Sequence, residues 1–162
     1  MDIATSSPDQ LGSEWNSQFD QRALCLLEHY NNSEILFYEK GKAIKTNLTN
    51  KATQTWEEDL VDNEGIKLSF RAYRTYMKKH EPEARFANSE AFNSDQIFFI
   101  GFALHFCAAY SREGLEFYLK TNEHSIHQLR VNRVVSNQPE FAEAFHCAPG
   151  KQLNPKKRCS IY

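Results

Sequence analysis

The chain has 162 residues, of which 41% are hydrophobic and 13% aromatic, so it holds enough apolar material for one domain with a core and is not globally disordered. Its formal net charge of -2 argues against a general nucleic-acid-binding role. The longest apolar stretch, residues 97–110, is shorter than the roughly 20 residues of a membrane-spanning helix. It therefore predicts a buried core helix.

The first third of the chain predicts one helix and a loop region. Residues 1–12 are polar and rich in turn formers, and we expect them to be disordered, with the domain occupying 13–162. Apolar side chains recur at helical spacing over residues 14–30. Residues 31–54 predict a loop that includes a short strand at 35–38.

The rest of the chain predicts further helices, so the expected fold class is mostly α with irregular loops. A long helix is predicted over 55–79, ending before Pro82, and Ser94 opens a cap for the apolar helix. Three segments follow: a short helix, a stretch that fits either a strand or a helix, and a helix with Pro in its first turn, at residues 113–121, 122–137 and 139–145. The tail from residue 147 reads as irregular.

Two carboxylates of the long helix fall in line with its apolar stripe. At 100° per residue, Glu58 and Asp62 share an arc with Ile66 and Phe70. Inward carboxylates need a basic side chain or a metal ion, because an unpaired buried charge costs several kcal/mol. A simpler interpretation stays open: both carboxylates lie in the first turns, partly solvated, and complement the helix dipole. Gly65 and Ser69 lie near the same arc, and their small size allows another element to approach closely.

A series of short motifs occurs in a fixed order along the chain. Residues 58–65 read Glu-Asp-Leu-Val-Asp-Asn-Glu-Gly, and residues 70–73 read Phe-Arg-Ala-Tyr. The later matches are at residues 96–103, 124–125, 130–132, 139–141, 144–147 and 154–155. Over about residues 15–162 the chain resembles the neprilysin and endothelin-converting-enzyme family of zinc metallopeptidases. The fold implied is the helical C-terminal part of a gluzincin-type catalytic domain.

The resemblance implies roles for four side chains, with zinc as the cofactor and peptides as the substrates. Glu58 is similar to the third zinc ligand of the family, and Asp62 to the carboxylate that orients a zinc-bound histidine. His124 is similar to the residue that stabilises the tetrahedral oxyanion, and Arg130 to the residue that holds the substrate main chain. Together these roles predict a zinc metalloendopeptidase.

The chain departs from the family pattern within and after the proposed zinc helix. Asp59, Val61 and Glu64 stand where the family has Asn, Ala and Gly, and Ile126 stands where Pro is usual. None of these changes removes a side chain to which the resemblance assigns a catalytic role.

None of the six histidines gives the zinc-binding His-Glu-x-x-His motif. His80 precedes the only His-Glu pair, and Ala84 occupies the place of the second histidine. One ligand is too few for a catalytic zinc site, which normally takes three from the protein. We therefore expect this chain alone to bind zinc only weakly and to be inactive. We also expect Met1 not to be the true start and a missing N-terminal part of the same protein to be the partner of this chain. The alternatives are a non-enzymatic binding or decoy domain derived from the family and, more remotely, an unrelated helical domain with a fortuitous acidic pair.

The four cysteines match no metal or redox spacing. The resemblance implies a disulfide between Cys25 and Cys159, with Cys107 and Cys147 each paired to a cysteine outside this chain. The apolar neighbours of Cys107 fit a plain buried thiol equally well.

Two sequons place N-glycosylation at Asn31 and Asn47. With the cysteines they predict an extracellular protein, secreted or the ectodomain of a single-pass membrane protein, although no signal peptide is present in the chain.

Overall fold

The computed structural model of the protein describes residues 13–31, 33–80 and 85–162, and the disorder predicted for residues 1–12 lies outside these ranges. The described part is mostly helical, as predicted. Its elements, in chain order, are α1 (Ser13–Asn31), β1 (Leu36–Glu39), β2 (Lys42–Lys45), α2 (Ala52–Met77), α3 (Ser94–His105), α4 (Arg112–Thr121), α5 (His127–Ser136) and α6 (Pro139–Ala144).

The loop region after α1 contains an antiparallel hairpin, which extends the short strand predicted there. Strands β1 and β2 pair with Leu36 opposite Lys45 and Glu39 opposite Lys42. Lys40 and Gly41 form the two-residue turn, with φ of 48° and 76°. Positive φ at both turn residues matches the right-handed twist of the strands, and glycine adopts it without strain.

Helix α2 packs against α1 and α5 and joins two apolar cores. The first core contains Leu26 and Tyr30 of α1, Leu129 of α5, and Ile161 of the tail. The second core lies near the C-terminal half of α2 and contains Ile66, Phe70, Phe99, Val134 and Val135. This arrangement places the first half of α2, which carries the two carboxylates, beside the loop before α5.

The buried face of α2 is rotated relative to the predicted stripe. Its buried residues are Ala52, Thr55, Asp59, Asn63, Ile66 and Phe70. Glu58 and Asp62 therefore border the buried face, whereas Asp59 lies on it with a relative exposure of 1%. The described residues make no use of the space at Gly65, because none of their atoms outside α2 lies within 4 Å of the position where its Cβ would stand.

The apolar helix α3 is not the buried core helix that its composition predicted. Within the described chain only its Phe99 is buried, and Leu104 is 66% exposed. Its cap is Asn93, which forms a capping box with Gln96, and Ser94 is the first helical residue. Cys107, just past the helix, is exposed and unpaired among the described residues.

The last segments follow the predicted order, and the ambiguous stretch 122–137 resolves into a loop followed by α5. The irregular tail returns to α1 and α2. The disulfide between Cys25 and Cys159 fixes it to α1 with a Cα–Cα distance of 5.6 Å. The Ile161 N–H donates to Glu64 Oε1 at 2.7 Å, so the carboxylate that replaces the family's Gly anchors the tail. In the described part of the chain, no helix is both long and apolar enough to cross a membrane.

Candidate functional site

The four residues with predicted roles meet in two pairs, one helical turn apart on α2. Glu58 Oε2 lies 3.3 Å from His124 Nε2, in the loop before α5. Asp62, four residues further along α2, accepts two hydrogen bonds from Arg130 of α5, from Nε at 2.6 Å and from a terminal nitrogen at 2.8 Å. The fold thus brings together side chains that are more than 60 residues apart in sequence.

The Arg130 and Asp62 pair is partly buried and geometrically fixed. Their side chains are 17% and 11% exposed, and the two parallel hydrogen bonds form the bidentate fork typical of arginine with a carboxylate. The hydrogen bonds that Arg130 donates to Asp62 raise the pKa of Arg130 above its usual value. The guanidinium also lies over the Phe106 ring, 4.7 Å from its centroid, a favourable cation–π contact.

His124 is held in one tautomer by Asn122. The Asn122 side-chain oxygen accepts the backbone N–H of His124 at 2.9 Å and lies 3.1 Å from its Nδ1. Since this oxygen already acts as an acceptor, Nδ1 carries the proton that faces it. The Nε2 atom therefore points towards Glu58, either with its lone pair or with a second proton.

A buried polar cluster fixes the two segments that carry Glu58 and His124. This Asp59 cluster comprises Asn50, Thr55, Asp59 and Ser125, each no more than 5% exposed. Asp59 Oδ2 accepts from the Thr55 hydroxyl at 2.8 Å and from the Ser125 hydroxyl at 3.0 Å. Asn50 donates to Ser125 Oγ at 3.2 Å. Because Asp59 follows Glu58 and Ser125 follows His124, these bonds set the spacing of the site.

The environment of Asp59 disfavours its charged form. Burial raises the pKa of Asp59 to about 7, while the hydrogen bonds from Thr55 and Ser125 act in the opposite direction. Its Oδ1 atom is buried without a hydrogen-bond partner among the described residues. The sequence interpretation treated Asp59 only as a departure from the family pattern. Its helical spacing from the apolar Ile66 and Phe70 was the available signal that it lies on the buried face.

Glu123 is a further acidic residue that the sequence interpretation missed. One ligand atom each from Glu58, Glu123 and His124 lies within 4.8 Å of the others. Imidazole nitrogen and carboxylate oxygens are donors that zinc accepts in proteins. The donor set of the described chain therefore fits the cofactor that the resemblance implies, although it includes no His-Glu-x-x-His pair.

Aromatic side chains and a second histidine border Arg130. The hydroxyl of Tyr110 hydrogen-bonds His127 Nδ1, and Tyr118 lies against both rings. Burial, with the nearby Arg130 and His124, lowers the pKa of His127. His127 is therefore a partly exposed imidazole beside the site, and its surroundings favour the neutral form. Sequence reasoning assigned it no role.

The other predicted site residues lie away from this cluster. Asn31 and Asn47 are both exposed, and the Asn31 side-chain oxygen accepts the backbone N–H of Ala52 at 3.0 Å. Glycosylation at the two asparagines stays a prediction. The Cys25–Cys159 bridge that the resemblance implied is present. Cys147 is half-buried and unpaired in the described chain, so its pairing with an outside cysteine also stays a prediction.

Comparison with known proteins gives consistent matches over most of the chain. The sequence model of Peptidase family M13 matches residues 5–161. Neprilysin-1 of Caenorhabditis elegans is 40% identical over 148 residues, which cover 91% of this chain and 19% of that protein. Endothelin-converting enzyme 1 of Bos taurus is 32% identical over 144 residues, which cover 89% of this chain and 18% of that protein. The chain thus spans about a fifth of the length of the curated relatives it matches.

One solved structure has a closely similar fold. It is the Haemonchus galactose containing glycoprotein complex, which superposes with a TM-score of 0.82 at 30% sequence identity. The match covers 93% of this chain and 24% of that chain.

Proposed function

The chain belongs to peptidase family M13, and from that premise we propose that it is the C-terminal portion of a neprilysin-like zinc metalloendopeptidase. In this proposal Glu58 is the third zinc ligand, and the two histidine ligands come from a part of the protein outside this chain. The substrates are peptides, and nucleic acid is not a partner. The chain alone is inactive as a peptidase, since it contains no His-Glu-x-x-His motif.

The observation that carries the proposal is the meeting of Glu58 and Asp62, in the first half of α2, with His124 before α5 and Arg130 on it. The roles of these four residues were assigned from a resemblance in sequence, and that resemblance does not say how far apart their side chains lie in the fold. Their meeting in space is what a shared active site requires. A bound zinc ion would polarise the scissile carbonyl and activate a water molecule.

In this proposal each of the chain's own site residues has a task in peptide hydrolysis, and the geometry is consistent with it. Glu58 supplies an anionic oxygen for the metal. His124, with Nδ1–H fixed by Asn122, presents Nε2 for the developing oxyanion. Arg130 uses two of its five N–H donors on Asp62 and keeps three for the substrate main chain. Asp62 retains acceptor lone pairs with which it can orient a zinc-bound imidazole.

The exposed apolar surface supports a larger assembly around this chain. Leu104 of α3 and Phe117 of α4 are 66% and 69% exposed, and Cys107 lies exposed between the two helices. Large exposed apolar side chains are typical of a surface that another part of a protein covers. We infer that the missing N-terminal part covers it. The Cys25–Cys159 disulfide supports an extracellular location for the whole protein.

A chimaera tests the proposal directly. Residues 13–162 replace the matching segment of the Caenorhabditis elegans relative, which is 40% identical. We expect chelator-sensitive peptide cleavage that Glu58→Gln abolishes, together with zinc binding, whereas the exposed neighbour Glu57→Gln leaves both unchanged. Asp62→Ala is expected to lower metal affinity or activity about 10–100-fold, and His124→Ala to lower kcat roughly 10²–10³-fold.

Two outcomes would contradict the proposal. A Glu58→Gln chimaera that keeps its zinc and its cleavage would remove Glu58 from the metal site. A folded chimaera that cleaves nothing would favour the alternative function, a binding or decoy domain derived from the family.

A further inference from the structure

We propose that Glu123 completes a second metal site, in which Glu58, Glu123 and His124 bind one divalent transition-metal ion using this chain's residues alone. The inference rests in part on the proposed function, because the two sites share Glu58. In the isolated chain Glu58 binds an ion together with Glu123 and His124. In the whole peptidase Glu58 binds zinc together with the two outside histidines, so the two ions are alternatives. This site gives the chain a metal-binding activity of its own.

The ligand atoms are already close to the spacing that a metal ion requires. Zinc–nitrogen and zinc–oxygen bonds of 2.0–2.2 Å place tetrahedral ligand atoms about 3.3 Å apart. Glu58 Oε2 and His124 Nε2 are 3.3 Å apart. The Glu123 atom lies within 4.8 Å of both, so its carboxylate must move by no more than about 1.5 Å. Glu123 is exposed and free to make this adjustment.

His124 has the tautomer that a ligand needs. Asn122 holds the proton on Nδ1, which leaves Nε2 to face the Glu58 carboxylate. A neutral Nε2 and a carboxylate oxygen are both acceptors, so their approach requires a cation between them or a proton on the imidazole. A hydrogen bond to the second ring nitrogen is the usual support of metal-bound histidine.

The charge of the site also favours a dication. Two carboxylates and one imidazole converge, and among the described residues neither Glu58 nor Glu123 forms an ion pair with a lysine or arginine. The nearby cation, Arg130, is bonded to Asp62 by both hydrogen bonds of its fork. A divalent ion would balance the two carboxylate charges, with water completing its coordination.

Two of the three ligands are held in place before any ion binds. Asp59 and Ser125, the residues that follow Glu58 and His124, are 1% and 0% exposed and are joined at 3.0 Å. The loss of side-chain freedom when ligands are ordered opposes metal binding. Here the buried hydrogen bonds already order the two ligands in the folded chain, so less freedom is lost when the ion binds. The donor set of one nitrogen and two oxygens selects zinc, cobalt or manganese over softer ions.

The test uses the 162-residue chain without an affinity tag, with Cys107→Ser and Cys147→Ser so that free thiols bind no metal. Cobalt chloride is titrated while visible absorption is recorded, and zinc chloride competes in a second titration. We expect one Co²⁺ per chain, displaced by Zn²⁺. Glu123→Gln is expected to weaken binding by about tenfold or more, as loss of one ligand of three requires. Glu57→Gln, an exposed change on the same helix, is the matched control and should bind as the parent chain does.

A second readout identifies the ligand atom independently of affinity. In long-range proton–nitrogen NMR spectra, Zn²⁺ should shift His124 Nε2 while Nδ1 keeps its proton, and Glu123→Ala should raise the Zn²⁺ concentration that the same shift requires. Circular dichroism verifies that each variant is folded. No Co²⁺ binding by the folded parent chain, or unchanged affinity in Glu123→Gln, would overturn the inference. Neither result affects the Glu58→Gln test in the chimaera, so the two proposals fail separately.

Discussion

Replacement of Asp59 by asparagine measures the cost of burying a carboxylate next to the proposed metal ligand. Asp59 is 1% exposed, and burial raises its pKa to about 7. Asparagine is nearly the same size and keeps an oxygen that accepts from the Thr55 and Ser125 hydroxyls. The substitution therefore removes the ionisable group while leaving the Asp59 cluster able to form.

The expected magnitude follows from the difference in pKa between the folded and unfolded states. Between about pH 4 and pH 7 the folded protein keeps a proton on Asp59 that the unfolded chain has released, so the free energy of unfolding falls as the pH rises. Each pKa unit corresponds to about 1.4 kcal/mol. When the pH rises from about 4.5 to 8, ionisation of Asp59 should therefore lower the free energy of unfolding of the wild-type chain by about 3 kcal/mol. The Asp59→Asn variant should not show this decrease.

Urea denaturation of both chains at the two pH values, with a chelator present, measures this difference. The buried amide that the substitution introduces costs about 1–3 kcal/mol if it finds no partner. That cost is the same at both pH values, so it cancels when the effect of the substitution at about pH 4.5 is subtracted from that at pH 8. An effect of Asp59→Asn that does not change with pH would refute the assignment of a raised pKa to Asp59.

Three further predictions concern other features of the fold. Burial, with Arg133 nearby, lowers the pKa of His29 to about 4, so stability from its neutral form is lost as the pH falls from about 6.5 to 4. His29→Gln should make this decrease in the free energy of unfolding at acid pH smaller by about 2 kcal/mol, a value that allows for solvent screening. Urea denaturation at several pH values measures it, and the same pH dependence in both chains would contradict the prediction. Arg130→Ala and Asp62→Ala should each cost about 2–3 kcal/mol in denaturation, and the double variant should cost less than their sum; full additivity would exclude a coupled pair. Cys159→Ser should lower the free energy of unfolding by about 4–5 kcal/mol, because it removes the disulfide with Cys25. Alkylation of the native chain followed by peptide mapping should label only Cys107 and Cys147, and a bridge between those two cysteines would contradict the pairing.

Much of the fold could be predicted from the sequence because its helices carry local signals. The periodic apolar residues of α1, the long polar and apolar pattern of α2, and the proline that opens α6 depend on neighbours a few residues away. The failure at α3 has a different cause. Composition shows that a helix is apolar but not which element covers it, and in the described chain Leu104 is left exposed.

The site was predictable only in part, for physical reasons. Family motifs identified Glu58, Asp62, His124 and Arg130, but no spacing indicated that Asp62 and Arg130 bond to each other. Asp59 was missed because it was considered only as a departure from the family motif. At about 100° from Glu58 on the helix it lies between Ile66 and Phe70, in the middle of the observed buried face. Glu123 was missed because the loop that carries it has no periodicity from which to infer direction.

Crystals of the zinc-loaded chimaera, measured on both sides of the zinc absorption edge, give the most direct test of the central claim. Anomalous differences locate the ion without reference to any assumed ligand. We expect an oxygen of Glu58 about 2.0–2.2 Å from the ion, beside two histidines of the partner segment. An ion bound in that peptidase without Glu58 would contradict the claim that this chain supplies the third zinc ligand.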